Sequence, residues 1–165
     1  MGRQVWWSAA WTAAAMALTV SCGLAAALYA AEIPADQLEG RWASEAGTSL
    51  TFRADHTFTS QHFDKLPVAS LCNDPSAMSS GRWAFHGPAG TGKNYTADEA
   101  VTHGSVLSLT FSVGDCTVGA YLFGDEDDPV LCPTDDPDDG CPSKGYLRTT
   151  NQAEKRVPDH EHVHP

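Results

Sequence analysis

Past residue 39 the chain is cut into short extended runs by turn residues, and apolar side chains never keep a helical spacing. That pattern excludes a helical bundle and an alternating α/β sheet. Residues 106–113 are the clearest run, with Leu107, Leu109, Phe111 and Val113 predicted on one face. Residues 49–53 alternate as well, Ala54-Asp55-His56 reads as a turn, and residues 57–59 resume the extended pattern. Residues 49–60 are therefore expected to form a hairpin. Gly40-Arg41-Trp42 opens the first strand, and residues 81–85 form another. Residues 116–123 are the expected partner of 106–113, and residues 145–150 the closing strand. Residues 66–80, 87–104 and 124–143 read as loops, the last strongly acidic. Successive hairpins of this kind predict an all-β fold. It would be a small antiparallel meander, barrel or sandwich of about 7–8 strands, since closing a sheet removes its exposed edges.

A weak internal repeat runs through this pattern. Gly40-Arg41-Trp42 is followed by Ser49-Leu50-Thr51-Phe52, and Gly81-Arg82-Trp83 by Ser108-Leu109-Thr110-Phe111. Trp42 and Trp83 are the only tryptophans after residue 11, and both are expected to be core rings.

The strands are preceded by a different kind of sequence. From Gln4 to Ala31 there is no charged residue, and 23 of the first 31 residues are apolar. A run of that length is enough for a hydrophobic N-terminal helix that could cross a bilayer. Three readings fit residues 1–31: a cleaved secretory signal with small residues at Ala25 and Ala27, an uncleaved signal anchor, or a lipoprotein signal acylated at Cys22. Arg3 is the only charge before Glu32 and places the following domain outside the cytoplasmic membrane. The expected division is then leader 1–31, β domain 32–150 and a disordered tail 151–165.

Composition follows the same split. The whole chain carries a formal charge of −11, yet all 21 acids and 9 of its 10 bases lie beyond the leader. That balance argues against nucleic-acid binding, which needs clustered cations. Cys72, Cys116, Cys132 and Cys141 remain after the leader, an even number with no CxxC pair. Four cysteines allow three pairings, and two disulfides suit an oxidising, extracytoplasmic space. Cys132 with Cys141 closes a short Pro/Asp/Gly loop, and Cys72 with Cys116 ties a long loop to a strand end. These two pairs are the expected connectivity.

A wider set of motifs carries a family resemblance. In order they are Leu38-Glu39-Gly40-Arg41-Trp42, Leu50-Thr51-Phe52-Arg53-Ala54-Asp55-His56-Thr57-Phe58, Ser80-Gly81-Arg82-Trp83 and Tyr121-Leu122-Phe123-Gly124-Asp125. Over residues 38–148 the chain resembles small exported proteins and lipoproteins of actinomycete bacteria, with GxW and LxFRADGTF motifs. The GxW start is also similar to that of lipocalin-like barrels. The resemblance implies an exported β domain and supplies no catalytic residues. This chain departs from the pattern where His56 replaces the turn glycine. It departs again where a GDPDSG-like turn is expanded into the acidic segment.

Motifs for chemistry are sparse. Gly87 to Asn94 has GxxxxGK spacing, but Asn94 stands where a phosphate-binding loop needs a hydroxyl, and the α/β framework is missing. It reads as a hairpin loop. Asn94-Tyr95-Thr96 is a formal glycosylation sequon. GxSxG and HExxH are missing too, so no enzyme and no cofactor are expected. Residues 125–139 hold eight carboxylates, of which Asp135, Asp136, Asp138 and Asp139 lie between two cysteines. Oxygen-rich loops suit Ca²⁺, although Pro137 and Tyr146 break the EF-hand pattern. His160, His162 and His164 alternate in the tail and could capture a transition-metal ion. The expected role is a non-catalytic binding module of the cell envelope. Its partner would be a small apolar ligand or another envelope component, with membrane attachment through an uncleaved or lipidated leader. The alternative is extracytoplasmic divalent-metal binding through the acidic loop or the tail.

Overall fold

The computed structural model describes residues 30–88, 95–114, 116–141 and 144–150. The predicted leader helix lies outside them. The elements are β1 (Ile33–Pro34), α1 (Ala35–Leu38), β2 (Gly40–Ala43), β3 (Ser49–Phe52), β4 (Thr57–Gln61), β5 (Ser80–Pro88), β6 (Tyr95–Asp98), β7 (His103–Gly104), β8 (Val106–Phe111), β9 (Thr117–Asp125), β10 (Asp128–Pro133) and β11 (Arg148–Thr149). All pairing between them is antiparallel. The strands follow the path β10-β9-β8-β5-β4-β3-β2-β11. β11 pairs with β2 through Arg148 opposite Ala43 and Thr149 opposite Trp42. Just before it, Leu131 and Leu147 exchange two backbone hydrogen bonds of 2.9 and 2.8 Å. That bridge brings β10 against the closing segment and joins the two ends of the sheet. The all-β expectation holds, and the architecture is a barrel rather than a sandwich.

The interior is filled by large side chains. Trp42, Trp83, Phe52, Phe58, Phe63, Phe85 and Phe111 are all at most 2% exposed. Six of these rings form a continuous chain of contacts. Phe85 meets Trp83 at 5.7 Å between centroids, Trp83 meets Phe52 at 6.0 Å, and Phe52 meets Phe58 at 6.1 Å. Phe58 then meets Phe111 at 5.1 Å, and Phe111 meets Phe63 at 4.9 Å. Several of these contacts are edge-to-face, the arrangement favoured by the ring quadrupole. The two indole N–H groups donate to backbone carbonyls, Trp42 to Leu38 at 2.8 Å and Trp83 to Arg53 at 3.2 Å. Both tryptophans of the repeat are therefore core rings.

The glycines of the repeat serve different needs. Gly40 sits at φ +110°, where a side chain is strained. At Gly81 a Cβ would overlap the Thr110 carbonyl and lie 2.8 Å from Phe58 Cε1. There the neighbouring strand and ring occupy the space.

Three sequence expectations need correction. Val113 is 52% exposed, because β8 ends at Phe111 and the chain turns there instead of continuing the alternation. The expected loop 87–104 is partly ordered pairing. β5 runs on through Pro88, β6 pairs with residues 85–88, and β7 pairs with β1. The expected loop 124–143 is mostly strand at its start. Asp125 ends β9, Asp128 begins β10, and only a tight turn separates them.

Gly81→Ala is expected to lower unfolding stability by about 2–3 kcal/mol, the range for overpacking a tight core contact. Gly40→Ala faces open space and should cost only its backbone strain, about 1 kcal/mol. Urea denaturation of the two variants side by side measures both; equal losses would contradict the contact argument.

Candidate functional site

The antiparallel registers divide the loops between two ends of the barrel. One end carries Ala30, the turn between β3 and β4, the β9–β10 turn and α1. The other carries residues 44–48, 62–79, 112–114 and 134–141. At this second end, residues 62–79 fold over the barrel mouth as a lid of three 3-10 turns. Its inward side chains, Phe63, Leu66, Val68, Ala69, Cys72 and Met78, are all buried. The lid begins at His62, which adopts φ 55°. It is pinned near its middle by Cys72–Cys116, with Cα atoms 5.6 Å apart. Cys132–Cys141 lies at the same end, also with Cα atoms 5.6 Å apart. Both expected disulfides are present.

The lid end also holds much of what could meet a partner. Leu71 is 61% and Val113 52% exposed, two of the three exposed large hydrophobics among the described residues. Each lies close in sequence to one half of the Cys72–Cys116 bridge. Asp135, Asp136, Asp138 and Asp139 are exposed on the loop closed by Cys132–Cys141. That loop is internally braced rather than arranged around a central point. Thr134 Oγ1 donates to the Asp136 carbonyl at 3.1 Å and accepts from the Asp136 N–H at 3.2 Å. Asp136 Oδ1 accepts from the Asp138 N–H at 3.0 Å. Among the described residues, no group of three or more His, Cys, Asp or Glu side chains is placed to hold a metal ion. Cys22, His160, His162 and His164 lie outside the described residues.

The eight carboxylates do not form one loop, contrary to the sequence reading. β10 carries the chain the length of the barrel between them. Asp125, Glu126, Asp127 and Asp128 therefore sit at the Ala30 end, and only the other four are bracketed by cysteines. An open groove of about 530 Å³ also lies at the Ala30 end, lined by Pro34, Ala35, Asp36, Glu39, Thr102 and His103. His103 Nε2 is 3.4 Å from Glu32 Oε1 beside it, and both side chains are exposed.

Two histidines outside that groove have defined roles. His56 takes the left-handed φ of 60° that the turn requires, a conformation glycine adopts without strain. Its ring packs 4.5 Å from Trp83, and Nδ1 lies 3.3 Å from the Trp83 carbonyl. It covers Trp83, the second ring of the aromatic chain, from the turn between β3 and β4. Nearby, Arg82 and Glu99 form a bidentate pair at 2.6 and 2.7 Å. That pair raises the arginine pKa and lowers the carboxylate's, through the hydrogen bonds first and the charge attraction second. On β5, His86 Nε2 is 2.8 Å from Ser108 Oγ of β8. This has the spacing of a nucleophile and its base. It lies on the outer face of the sheet, however, where backbone N–H groups are committed to strand pairing and cannot form an oxyanion hole. Burial lowers the His86 pKa.

The sequence reading missed Leu71 and Val113 as surface groups, and it missed the His86–Ser108 pair. Outward positions on adjacent strands could have suggested that pair, but only once the register was known. Among the described residues no helix is long and apolar enough to cross a membrane. The fold is thus a small antiparallel β-barrel with a filled interior, a lidded end and two disulfides. Comparison with family models, with curated proteins and with solved structures finds no match for this chain.

Two measurements follow from this geometry. The folded protein binds a proton at His86 less readily than the unfolded chain does. Stability from this group is therefore complete above about pH 6.5 and declines as the pH falls below it. His86→Asn should flatten the slope of unfolding stability between about pH 7 and pH 5. An unchanged slope would mean that His86 is not the group responsible. Calorimetric titration with millimolar Ca²⁺ should show no binding heat at the braced acidic loop, and saturable heat lost in Asp136→Asn would reverse that reading.

Proposed function

We propose that this protein is an exported, non-catalytic binding module of the cell envelope that engages another envelope component through its lidded end. The observation that carries this reading is the presence of Leu71, Val113 and four exposed aspartates at one end of the barrel, on loops that two disulfides hold. An apolar centre with a charged surround is the usual anatomy of a docking patch. Its charge suits a partner with basic groups beside an apolar contact. The filled interior favours this surface over a small apolar ligand inside the barrel, which would have to displace the aromatic chain. The resemblance to exported actinomycete proteins and the uncharged leader support export, and so do the paired cysteines. Ala30 lies at the opposite end, so a retained or lipidated leader would hold the lidded end away from the membrane.

Site-specific photo-crosslinking in intact cells tests this. A crosslinker at Val113 should capture a discrete envelope component, and Leu71→Asp should abolish the adduct. A crosslinker at Asp127, at the opposite end, should give none. Adducts from Asp127 alone, or none from either position, would overturn the proposal.

A further inference from the structure

The barrel is closed by little backbone pairing. β11 is two residues long, and among the described residues the backbone pairing between β10 and the closing segment is the Leu131–Leu147 bridge. Yet this seam covers Leu131, Leu147 and Trp42, each 0% exposed. The Leu131 N–H points across the seam to the Leu147 carbonyl. Backbone direction alternates along a strand, so positions 129 and 133 face the same way. Both are proline and have no N–H to offer. Leu131 is therefore the one donor among positions 129, 131 and 133 on that edge, and the closing segment satisfies it.

Cys132 follows Leu131 directly, and Cys141 lies six residues before Leu147. The disulfide between them thus holds the chain close to the seam it must close. Cys141 is also seated locally: its N–H donates to Tyr146 Oη at 3.4 Å, one residue before the bridge. Cys132 is 0% exposed, whereas Cys141 is half-buried and is the more exposed residue of the pair.

We infer that Cys132–Cys141 is a redox latch on the barrel seam, released by an external dithiol such as the active site of an envelope thiol–disulfide oxidoreductase. One thiolate of the dithiol attacks Cys141 Sγ, forming a mixed disulfide and expelling the Cys132 thiolate, which takes up a proton. The second thiol, deprotonated, then attacks the dithiol's own sulfur in the mixed disulfide and releases the Cys141 thiolate, which is protonated in turn. The dithiol leaves as a disulfide, and the protein gains two thiols. Residues 144–150 lose their tether, and the edges of β10 and β2 open. The other disulfide serves as an internal comparison. Its sequence separation is 44 against 9 for the latch. Cys72–Cys116 pins the lid and not the seam, so its opening should leave the Leu131 and Leu147 amides protected.

Hydrogen exchange on the full oxidised chain, before and after dithiothreitol, tests the latch, with timed alkylation and mass mapping to identify which bridge has opened. The seam is read once Cys132–Cys141 is open. The Leu131 and Leu147 amides should then exchange at least about tenfold faster, the scale of removing a short loop constraint. The β3–β4 amides should stay within about twofold of their starting rates, as a local opening requires. The double variant C132S/C141S should reproduce the fast seam, and C72S/C116S should leave it slow. Unchanged seam rates with the bridge demonstrably open would overturn the inference. Faster exchange at every amide together would overturn it too, since that is loss of the whole fold.

Discussion

The chain of aromatic contacts from Phe85 through Trp83, Phe52, Phe58 and Phe111 to Phe63 is the constraint on which the rest depends. These rings lie on the inner faces of β3, β4, β5 and β8 and on the lid, so a flat sheet would leave them wet on one side. Burying them requires the sheet to curl until its first and last strands meet. It also requires plugs at the ends. His56 covers Trp83 at one end, and the lid seats Phe63 at the other.

This demand explains the economy of the closure. The core needs the seam to be shut, but it does not need a long ladder there, because hydrophobic contact is non-directional. Leu147 completes the inner surface with a short strand behind it. Pro129 and Pro133 keep the β10 edge from becoming a template for strand addition. Both disulfides act on loops at the lidded end, one on the lid and one beside the seam. They stiffen the part of the fold where regular pairing is thinnest.

Much of the architecture was legible from local pattern. The residue 49–60 hairpin, the pairing of β8 with β9 and the inward tryptophans all follow from alternation and turn chemistry, which act over a few residues. The cysteine pairs were legible because one loop is short and the other runs from a long loop to a strand end. Val113 was misread because alternation says nothing about where a strand stops. There the end is set by the Phe111 N–H reaching the Cys116 carbonyl at 2.8 Å, a contact with the returning strand. The partner of His86 was hidden for the same kind of reason, since Ser108 lies 22 residues away.

The acidic segment shows where sequence ends and tertiary structure begins. Sequence alone determined an all-β chain with two core tryptophans, paired cysteines and a concentration of acid between residues 125 and 139. Charge density is a local property and can be counted along the chain. The division of that acid between two ends of the barrel was decided only by β10. Six residues that read as loop become a strand because they pair with β9 and cover the core. The same pairing places Asp135, Asp136, Asp138 and Asp139 at the same end of the barrel as Leu71 and Val113, and at the opposite end from Ala30. Such neighbours come from register between strands, a long-range choice made by the buried core, and no local run of residues encodes it.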